Sequence, residues 1–263
     1  MGIVKNKMKR KALIISIKST VLSKKEKILL SKEKPWGIIL FKRNLKSFNQ
    51  IKNLTSKIKS LTKNKHFPIF IDEEGERVSR LGNIINNNVS ASFFGTLFKN
   101  NKVFCIKIFK CYIDASSQVL RDLGININTI PVLDVLRKNT NKIIGNRSFS
   151  KNKKIIKTLG KLSIKFLHSN KIAGVIKHIP GHGAATTDSH KKMPKVSLSL
   201  KKLNNIDFFP FKLSNSKFAM TSHILYSKID KKNVATHSKK IVKDIIRKKI
   251  GFKGLLITDD ISM

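Results

Sequence analysis

The sequence predicts an α/β fold with a parallel sheet, and specifically a TIM-type (β/α)8 barrel. Short apolar runs recur seven times along the 263 residues, each bounded by glycine, proline or polar clusters. Runs of this kind are typical of buried parallel strands. The longer segments between them have helical apolar spacing, and strand-helix alternation favours a parallel sheet. A doubly wound open sheet is the main alternative.

Seven runs are the strand candidates, and two intervening segments are clear helix candidates. The runs are ALIISI (12–17), WGIILF (36–41), FPIFID (67–72), ININTIPVLD (125–134), AGVIKHIP (173–180), FAMTSHI (218–224) and GLLITDD (254–260). The first helix candidate is KIIKTLGKLSIKFLHSN, where apolar residues recur at helical intervals. The second is SKKIVKDII, which starts with a serine suited to an N-cap.

Length and composition fit one domain over residues 1–263, because barrels of about 250 residues form single domains. The net charge of +40 first suggests a partner such as nucleic acid or an anionic surface. Eight of the 55 basic residues are arginine and the other 47 are lysine, spread from end to end. We interpret this as A/T-rich codon usage and expect no specific nucleic-acid site, with a non-catalytic basic binding protein as an alternative.

Other features favour a cytoplasmic protein without a membrane segment. Cys105 and Cys111 lie six residues apart in an expected helix and would point in different directions, so no disulfide or metal site is predicted. The N-terminal apolar run, Ala12–Ile17, is shorter than the roughly 7–15 residues of a signal peptide core. No run approaches the roughly 20 apolar residues of a membrane span.

Polar residues gather where the predicted strands end, which is the edge that carries function in α/β folds. In chain order they are Asp72, Glu73, Glu74, Asp134, Lys177, His178, Ser222, His223, Asp259 and Asp260. The whole chain has only 15 acidic residues. Their presence at these positions supports a site at this edge.

The stretch KHIPGHGAATTDSH brings three of the seven histidines into fourteen residues. A loop could gather His178, His182, Asp188 and His190 around zinc, but there is no cysteine ligand and no HExxH pattern. These side chains could also be ordinary loop residues. The third reading is proton transfer, in which Asp188 orients His190, since imidazole exchanges protons near neutral pH.

Five segments resemble motifs of the glycoside hydrolase family 3 β-N-acetylhexosaminidases of the bacterial peptidoglycan-recycling type, and they follow one another along the chain in the family's order. KHIPGHGAATTDSH resembles the KHFPGHG…DSH loop of that family. The other four are WGIILFKRN, IDEEGERVSRL, IGNRSF and GFKGLLITDDISM, similar to GVILFxRN, IDQEGGRVxRL, IGxRSF and GFxGVIxSDDLxM. Together they cover nearly the whole chain.

The resemblance implies a barrel that removes terminal β-linked N-acetylglucosamine from cytoplasmic muropeptides, with GlcNAc-anhydro-muropeptides as substrates. It implies a retaining mechanism, a monomer, and no metal or cofactor. Asp259 would be the nucleophile, His190 the general acid/base and Asp188 its orienter. An alternative is a truncated, inactive relative.

The resemblance also implies a set of sugar-binding residues, in which carboxylates accept hydrogen bonds from hydroxyls and cations donate them. The set is Asp72, Arg80, Arg147, Lys177 and His178.

Three nearby side chains have other interpretations. We expect Arg77 to pair with Glu73 or Glu74 rather than to touch sugar. Asp134 is either a structural acid or part of the site, and His182 either lines the pocket or satisfies backbone groups.

This chain departs from the family pattern in the loop after the third strand and at its end. Glu73 and Glu76 stand where the family usually has glutamine and glycine, and a side chain at the second position alters a tight turn. The sequence ends at Met263, whereas the family continues through another helix and an eighth strand. We therefore expect a barrel that lacks its last strand and helix and has an open edge.

Overall fold

The computed structural model describes residues 10–186, 193–212 and 216–262. Within them, seven strands form one sheet in the order β1-β2-β3-β4-β5-β7-β9, and a short second sheet pairs β6 with β8. The strands are β1 Lys11–Ser16, β2 Pro35–Leu40, β3 Ile69–Ile71, β4 Ile127–Asn128, β5 Ala173–Ile179, β6 Lys195–Val196, β7 Phe218–Thr221, β8 Leu225–Tyr226 and β9 Leu255–Thr258.

The main sheet confirms the predicted barrel-type fold. Each of the seven predicted runs overlaps one of its strands, and every neighbouring pair is parallel. The strand order follows the chain without a reversal, whereas a doubly wound sheet reverses its order at a switch point. The doubly wound alternative is therefore excluded.

Helices alternate with the strands, as the apolar spacing predicts. They are α1 Lys24–Ile28, α2 Phe48–Leu61, α3 Ala91–Asn100, α4 Lys102–Asp122, α5 Lys153–Ser169 and α6 Leu200–Asn205, with π-helical segments at Leu29–Glu33 and Ile241–Ile250. Both predicted helices are confirmed, the first as α5 and the second as the π-helix Ile241–Ile250. Ser238 begins the second one, because its Oγ accepts the backbone N–H of Ile241 at 3.0 Å.

Alternation along the strands separates two apolar layers. A large core cluster lies between sheet and helices and includes Ile69, Ile71 and Ile176. A smaller cluster inside the barrel consists of Phe70, Ile127, Val175 and Met220. Since successive strand side chains point to opposite faces, every second residue along a strand belongs to the inner layer.

The same alternation places polar residues above the inner apolar cluster. Two residues after Phe70, Ile127, Val175 and Ile257 come Asp72, Thr129, Lys177 and Asp259. Side chains two apart along a strand share a face, so each polar residue continues the inner layer at the carboxyl end of its strand. The barrel interior is thus apolar below and polar at its mouth.

The edges of the main sheet in the described residues are β1 and β9. Leu13 on β1 and Leu255 on β9 are 53% and 46% exposed, although both are large apolar residues. This is the open edge expected of a barrel with seven strands.

The two cysteines point to different surroundings, as expected, since Cys105 is buried and Cys111 is exposed. Along the described ranges, no helix has both the length and the apolar character that crossing a bilayer requires.

One glycine in α3 sets how closely that helix approaches the site. A Cβ added to Gly95 would lie 1.6 Å from the carbonyl oxygen of Phe149, which follows the 3-10 turn Gly145–Arg147. We expect Gly95→Ala to lower the free energy of unfolding by about 1–3 kcal/mol or more, because the helix must move away. Urea unfolding measures this difference.

Gly82→Ala is the matched control for this substitution. The nearest atom to its added Cβ is the Oγ of Ser79 at 3.9 Å, an ordinary contact. Its unfolding free energy should stay within about 0.5 kcal/mol of the native value. Equal effects of the two substitutions would contradict the close contact between α3 and Phe149.

Candidate active site

A cavity of about 660 Å³ opens at the carboxyl ends of the strands. Its lining includes all six predicted site residues that the structure describes. These are Asp72, Arg80, Arg147, Lys177, His178 and Asp259. The other two predicted residues, Asp188 and His190, lie outside the described residues, so their roles remain predictions. The fold thus brings together residues that are as far as 187 positions apart in the sequence, from Asp72 to Asp259.

Asp72 is a largely buried carboxylate, 14% exposed, that is surrounded by donors. It pairs with Nη2 of Arg80 at 3.2 Å and Nζ of Lys177 at 3.4 Å, and it accepts the hydroxyl of Thr129. Burial raises the pKa of Asp72, but Lys177, Thr129 and Arg80 together outweigh it, and the pKa lies well below its ordinary value. The group therefore stays ionised at neutral pH, which suits it to accept hydrogen bonds from the hydroxyl groups of a sugar.

Glu74 is a second buried carboxylate in the cavity wall. Arg147 donates to it twice, through Nε at 2.7 Å and Nη2 at 2.8 Å, and Nζ of Lys177 lies 2.6 Å away. Burial raises the pKa of Glu74, but the two cations lower it by more, so the pKa falls to about 2. Because Nε and Nη2 of Arg147 both donate to Glu74, Arg147 contributes to the site mainly by holding this carboxylate.

Lys177 joins the two carboxylates. Its ammonium is 3% exposed and contacts Asp72, Glu74 and the Thr129 hydroxyl, the last at 2.9 Å. An ammonium group has three protons, so these three acceptors satisfy it. Lys177 lies on β5, two residues after Val175, so its side chain points to the same inner face of the barrel.

Arg77 does not pair with Glu73 or Glu74, so that prediction is wrong. Its Nη1 donates instead to the carbonyl oxygen of Lys142 on the neighbouring loop. The reason is that both carboxylates already have donors, Glu74 from Arg147 and Lys177, and Glu73 from its own loop. Arg77 lies exposed at the rim of the cavity.

Glu73 organises the loop that carries Arg80. Its side chain is buried, and Oε2 accepts from the backbone N–H of Arg80 at 2.8 Å and of Leu81 at 3.0 Å, and from the Ser79 hydroxyl at 3.2 Å. Its Oε1 accepts Nδ2 of Asn87 at 2.8 Å. A buried carboxylate with four donors needs no cation to be satisfied.

Glu76 occupies a position where glycine would be favoured. Its φ is +30°, in the left-handed region that L residues seldom adopt. Its carboxylate accepts Nδ2 of Asn146 at 2.7 Å, and its backbone N–H donates to Asn87 at 2.7 Å. The side chain absent from the family pattern therefore joins the loop to the turn that carries Arg147.

Asp134 and His178 form a buried pair next to Asp259. Nδ1 of His178 lies 2.7 Å from Oδ2 of Asp134, and Nε2 of His178 lies 4.0 Å from Oδ2 of Asp259. Burial raises the pKa of Asp134, but His178 and the N–H of His182 lower it, and the net shift is downward. Of the two open readings, Asp134 thus belongs to the site's support.

The side chain of Asp259 is 26% exposed, more open than those of Asp72 and Glu74, which are 14% and 5% exposed. Its Oδ1 accepts the backbone N–H of Asp260 at 2.9 Å. Asp260 turns towards the following backbone, where its Oδ1 accepts the N–H of Ser262 at 2.9 Å and its hydroxyl at 2.6 Å. Asp259 is therefore the one of the two adjacent aspartates whose side chain faces His178.

His182 lines the cavity and is 4% exposed. Burial lowers its pKa to about 4, although Asp134 partly opposes the shift. The imidazole is therefore neutral at pH 7, and its ring packs edge-on against His178 with centroids 5.7 Å apart. In the described part of the chain, no three His, Cys, Asp or Glu side chains are grouped so that they could hold a metal ion.

Comparisons with known proteins agree on one family. The model of the glycosyl hydrolase family 3 N terminal domain matches residues 7–263. Beta-hexosaminidase A of Pseudoalteromonas piscicida is 32% identical over 260 residues, covering 89% of this chain and 42% of that protein. Beta-hexosaminidase of Neisseria meningitidis serogroup B is 33% identical over 252 residues, covering 92% of this chain and 67% of that protein.

Solved structures give the same result. Native NagZ from Neisseria gonorrhoeae superposes with a TM-score of 0.90 at 31% sequence identity, covering 97% of this chain and 74% of that one. A β-N-acetylglucosaminidase of the same family from Paenibacillus sp. gives a TM-score of 0.84 at 26% identity, covering 94% of this chain and 47% of that one. This chain spans only part of the length of each relative.

The hydrogen bonds of Glu73 predict how its variants differ in stability. Glu73→Ala leaves two backbone N–H groups and an amide without their acceptor, so we expect a loss of about 3 kcal/mol in urea unfolding. Glu73→Gln keeps one oxygen for the Arg80 and Leu81 N–H groups, but its amide faces Nδ2 of Asn87. Rotation of the Asn87 amide relieves this, so the glutamine variant should lose less than half as much. Equal losses would contradict the arrangement.

The pKa of His182 predicts a stability change between pH 7 and pH 5. The unfolded chain binds a proton near pH 6.5, whereas native His182 binds one only near pH 4. Stability conferred by the neutral form is therefore present above pH 6.5 and lost as pH falls, by at most about 1.4 kcal/mol per pH unit. Urea unfolding at pH 7, 6 and 5 should show a shallower decline for His182→Gln. Identical declines would contradict a buried neutral imidazole.

Proposed function

Because the chain belongs to glycosyl hydrolase family 3, we propose that it is a retaining β-N-acetylhexosaminidase. The observation that carries this is the position of Asp259, a partly exposed carboxylate in a polar cavity beside His178 and an ionised Asp72. The relatives named beta-hexosaminidase support the reaction, and a NagZ complex with N-trifluoroacetyl-D-glucosamine supports an N-acylated glucosamine as the sugar.

The reaction begins with Asp259 as nucleophile. One of its oxygens forms a bond to the anomeric carbon while the bond from that carbon to the leaving oxygen breaks. His190, oriented by Asp188, gives its proton to the leaving oxygen. Water then attacks the anomeric carbon and gives a proton to His190, while the bond between that carbon and Asp259 breaks. The Asp259 carboxylate is restored and the sugar leaves with its original configuration. The roles of Asp188 and His190 rest on the family resemblance.

The rest of the cavity holds the sugar. Asp72 accepts hydrogen bonds from the sugar hydroxyls, and its low pKa keeps it ionised for this over the working range of pH. Lys177 and Arg80 fix Asp72, and Arg80, whose side chain is 31% exposed, offers its other donors to the sugar. Arg147 acts through Glu74, which it holds with two hydrogen bonds. No step of this scheme needs a metal or a cofactor.

The biological setting is part of the same proposal. The substrates are GlcNAc-anhydro-muropeptides, and the protein works as a monomer in the cytoplasm during peptidoglycan recycling. The motifs of the recycling-type enzymes support the substrate.

Replacement of Asp259 tests the nucleophile. Asp259→Asn should reduce hydrolysis of 4-methylumbelliferyl N-acetyl-β-D-glucosaminide by at least about a thousandfold, because the amide is a poor nucleophile. Asp244→Asn is the matched control, since Asp244 lies on the π-helix Ile241–Ile250 and pairs with Lys248. It should retain full activity. An undiminished rate in Asp259→Asn would overturn the assignment.

The configuration of the first product tests the retaining mechanism separately. Proton NMR of the native reaction should show β-N-acetylglucosamine first, followed by mutarotation. Initial release of the α-anomer would mean direct displacement by water and would exclude a covalent glycosyl-Asp259.

A further inference from the structure

Asp134 is a buried carboxylate that does not line the cavity. It is 0% exposed, and each of its oxygens has a fixed task. Its Oδ1 accepts the backbone N–H of His182 at 2.6 Å and of His178 at 3.3 Å, and its Oδ2 faces Nδ1 of His178 at 2.7 Å. Its carbonyl oxygen accepts the Ser148 hydroxyl at 2.6 Å. Any influence of this carboxylate on a bound molecule must therefore pass through the residues that it holds, and His178 is the one whose side chain it contacts.

We propose that Asp134 is a positioning residue that holds His178 as the Nδ1–H tautomer, so that its Nε2 accepts a hydrogen bond from a hydroxyl of the bound sugar. A carboxylate oxygen can only accept, so the 2.7 Å contact requires a proton on Nδ1. In the neutral ring the proton is then absent from Nε2. This inference rests on the proposed function, because the hydroxyl belongs to the sugar on which Asp259 acts.

The distance between Nε2 and Asp259 supports an intervening donor. Nε2 of His178 lies 4.0 Å from Oδ2 of Asp259, too far for a direct hydrogen bond. Both atoms are acceptors in this tautomer, and both belong to side chains that line the cavity. A sugar hydroxyl next to both atoms can donate a hydrogen bond to Nε2. The Asp259 oxygen then remains free for attack on the anomeric carbon.

The surroundings of the ring keep it in this orientation. His182 packs edge-on against His178, and its backbone N–H is bound to the same Asp134 carboxylate. Because burial keeps His182 neutral at pH 7, it adds no charge next to the pair. Rotation of the His178 ring would break the 2.7 Å contact and leave the Asp134 oxygen buried without a donor, which is costly.

Asp134→Asn should invert the polarity of His178 with little change of shape. The backbone N–H of His182 requires an acceptor at the Oδ1 position, so the asparagine oxygen stays there and its amide nitrogen replaces Oδ2. That nitrogen donates to Nδ1, which moves the ring proton to Nε2. Nε2 then becomes a donor, and the sugar hydroxyl loses its acceptor.

The tautomer is measured directly by nitrogen-15 NMR of the imidazole of His178, assigned by comparison with His178→Gln. In the native protein at pH 8 we expect Nδ1 to carry the proton and Nε2 to be bare, and Asp134→Asn to show the reverse. A native ring protonated on Nε2 would overturn the proposal. The tautomer is read on the native chain, and this measurement does not depend on hydrolysis.

The effect on the reaction is measured as kcat/KM for 4-methylumbelliferyl N-acetyl-β-D-glucosaminide. We expect Asp134→Asn to lower it by roughly 10- to 100-fold, the cost of leaving a buried polar group without its partner. In a His178→Ala background the same substitution should change kcat/KM by less than about twofold, because Asp134 acts only through His178. A full additive loss in that background would indicate a merely structural role and overturn the proposal.

These outcomes separate this inference from the proposed function. If the native protein hydrolyses the substrate and Asp259→Asn does not, but Asp134→Asn retains the native kcat/KM, the proposed function survives and the role of Asp134 fails. If the native protein does not hydrolyse the substrate, the proposed function fails. The affinity for N-acetylglucosamine, followed by NMR titration, then takes the place of kcat/KM, with the same expected losses and the same overturning result.

Discussion

The ammonium of Lys177, buried between the carboxylates of Asp72 and Glu74, is the contact on which the rest of the site depends. Removing either partner of a buried ion pair leaves an uncompensated charge, which costs about 3–5 kcal/mol. Here one cation compensates two carboxylates, and Arg80 and Arg147 each add a second pairing to one of them. The chain carries a charge of +40, yet its cavity is a place where acids and bases are closely matched.

This charge network is fixed from below by the packing of the barrel. The inner cluster of Phe70, Ile127, Val175 and Met220 packs inside the barrel, and the polar side chains lie next to it at the strand ends. Because strand side chains alternate, the apolar layer and the polar layer are consequences of the same pattern.

From above, the network is fixed by loops whose polar groups are satisfied locally. Glu73 gathers the loop that carries Arg80, and Glu76 links that loop to the turn that carries Arg147. Asp134 gathers the backbone of His178 and His182 in the same way. Carboxylates thus have two kinds of task in this protein: Asp72 and Asp259 face the cavity, whereas Glu73 and Asp134 hold backbone and side chains in place.

The sequence by itself determined the parallel sheet, its seven strands, the helices α5 and Ile241–Ile250, and the six described cavity residues. These follow from apolar periodicity and from motifs whose members lie close together in the chain. The tertiary structure alone decided which charges pair. The partners lie far apart in sequence, 105 positions for Lys177 and Asp72 and 73 for Arg147 and Glu74. Pairing over such separations depends on burial and on competition among donors. Glu74 therefore pairs with Arg147 and not with Arg77, and Asp134 pairs with His178.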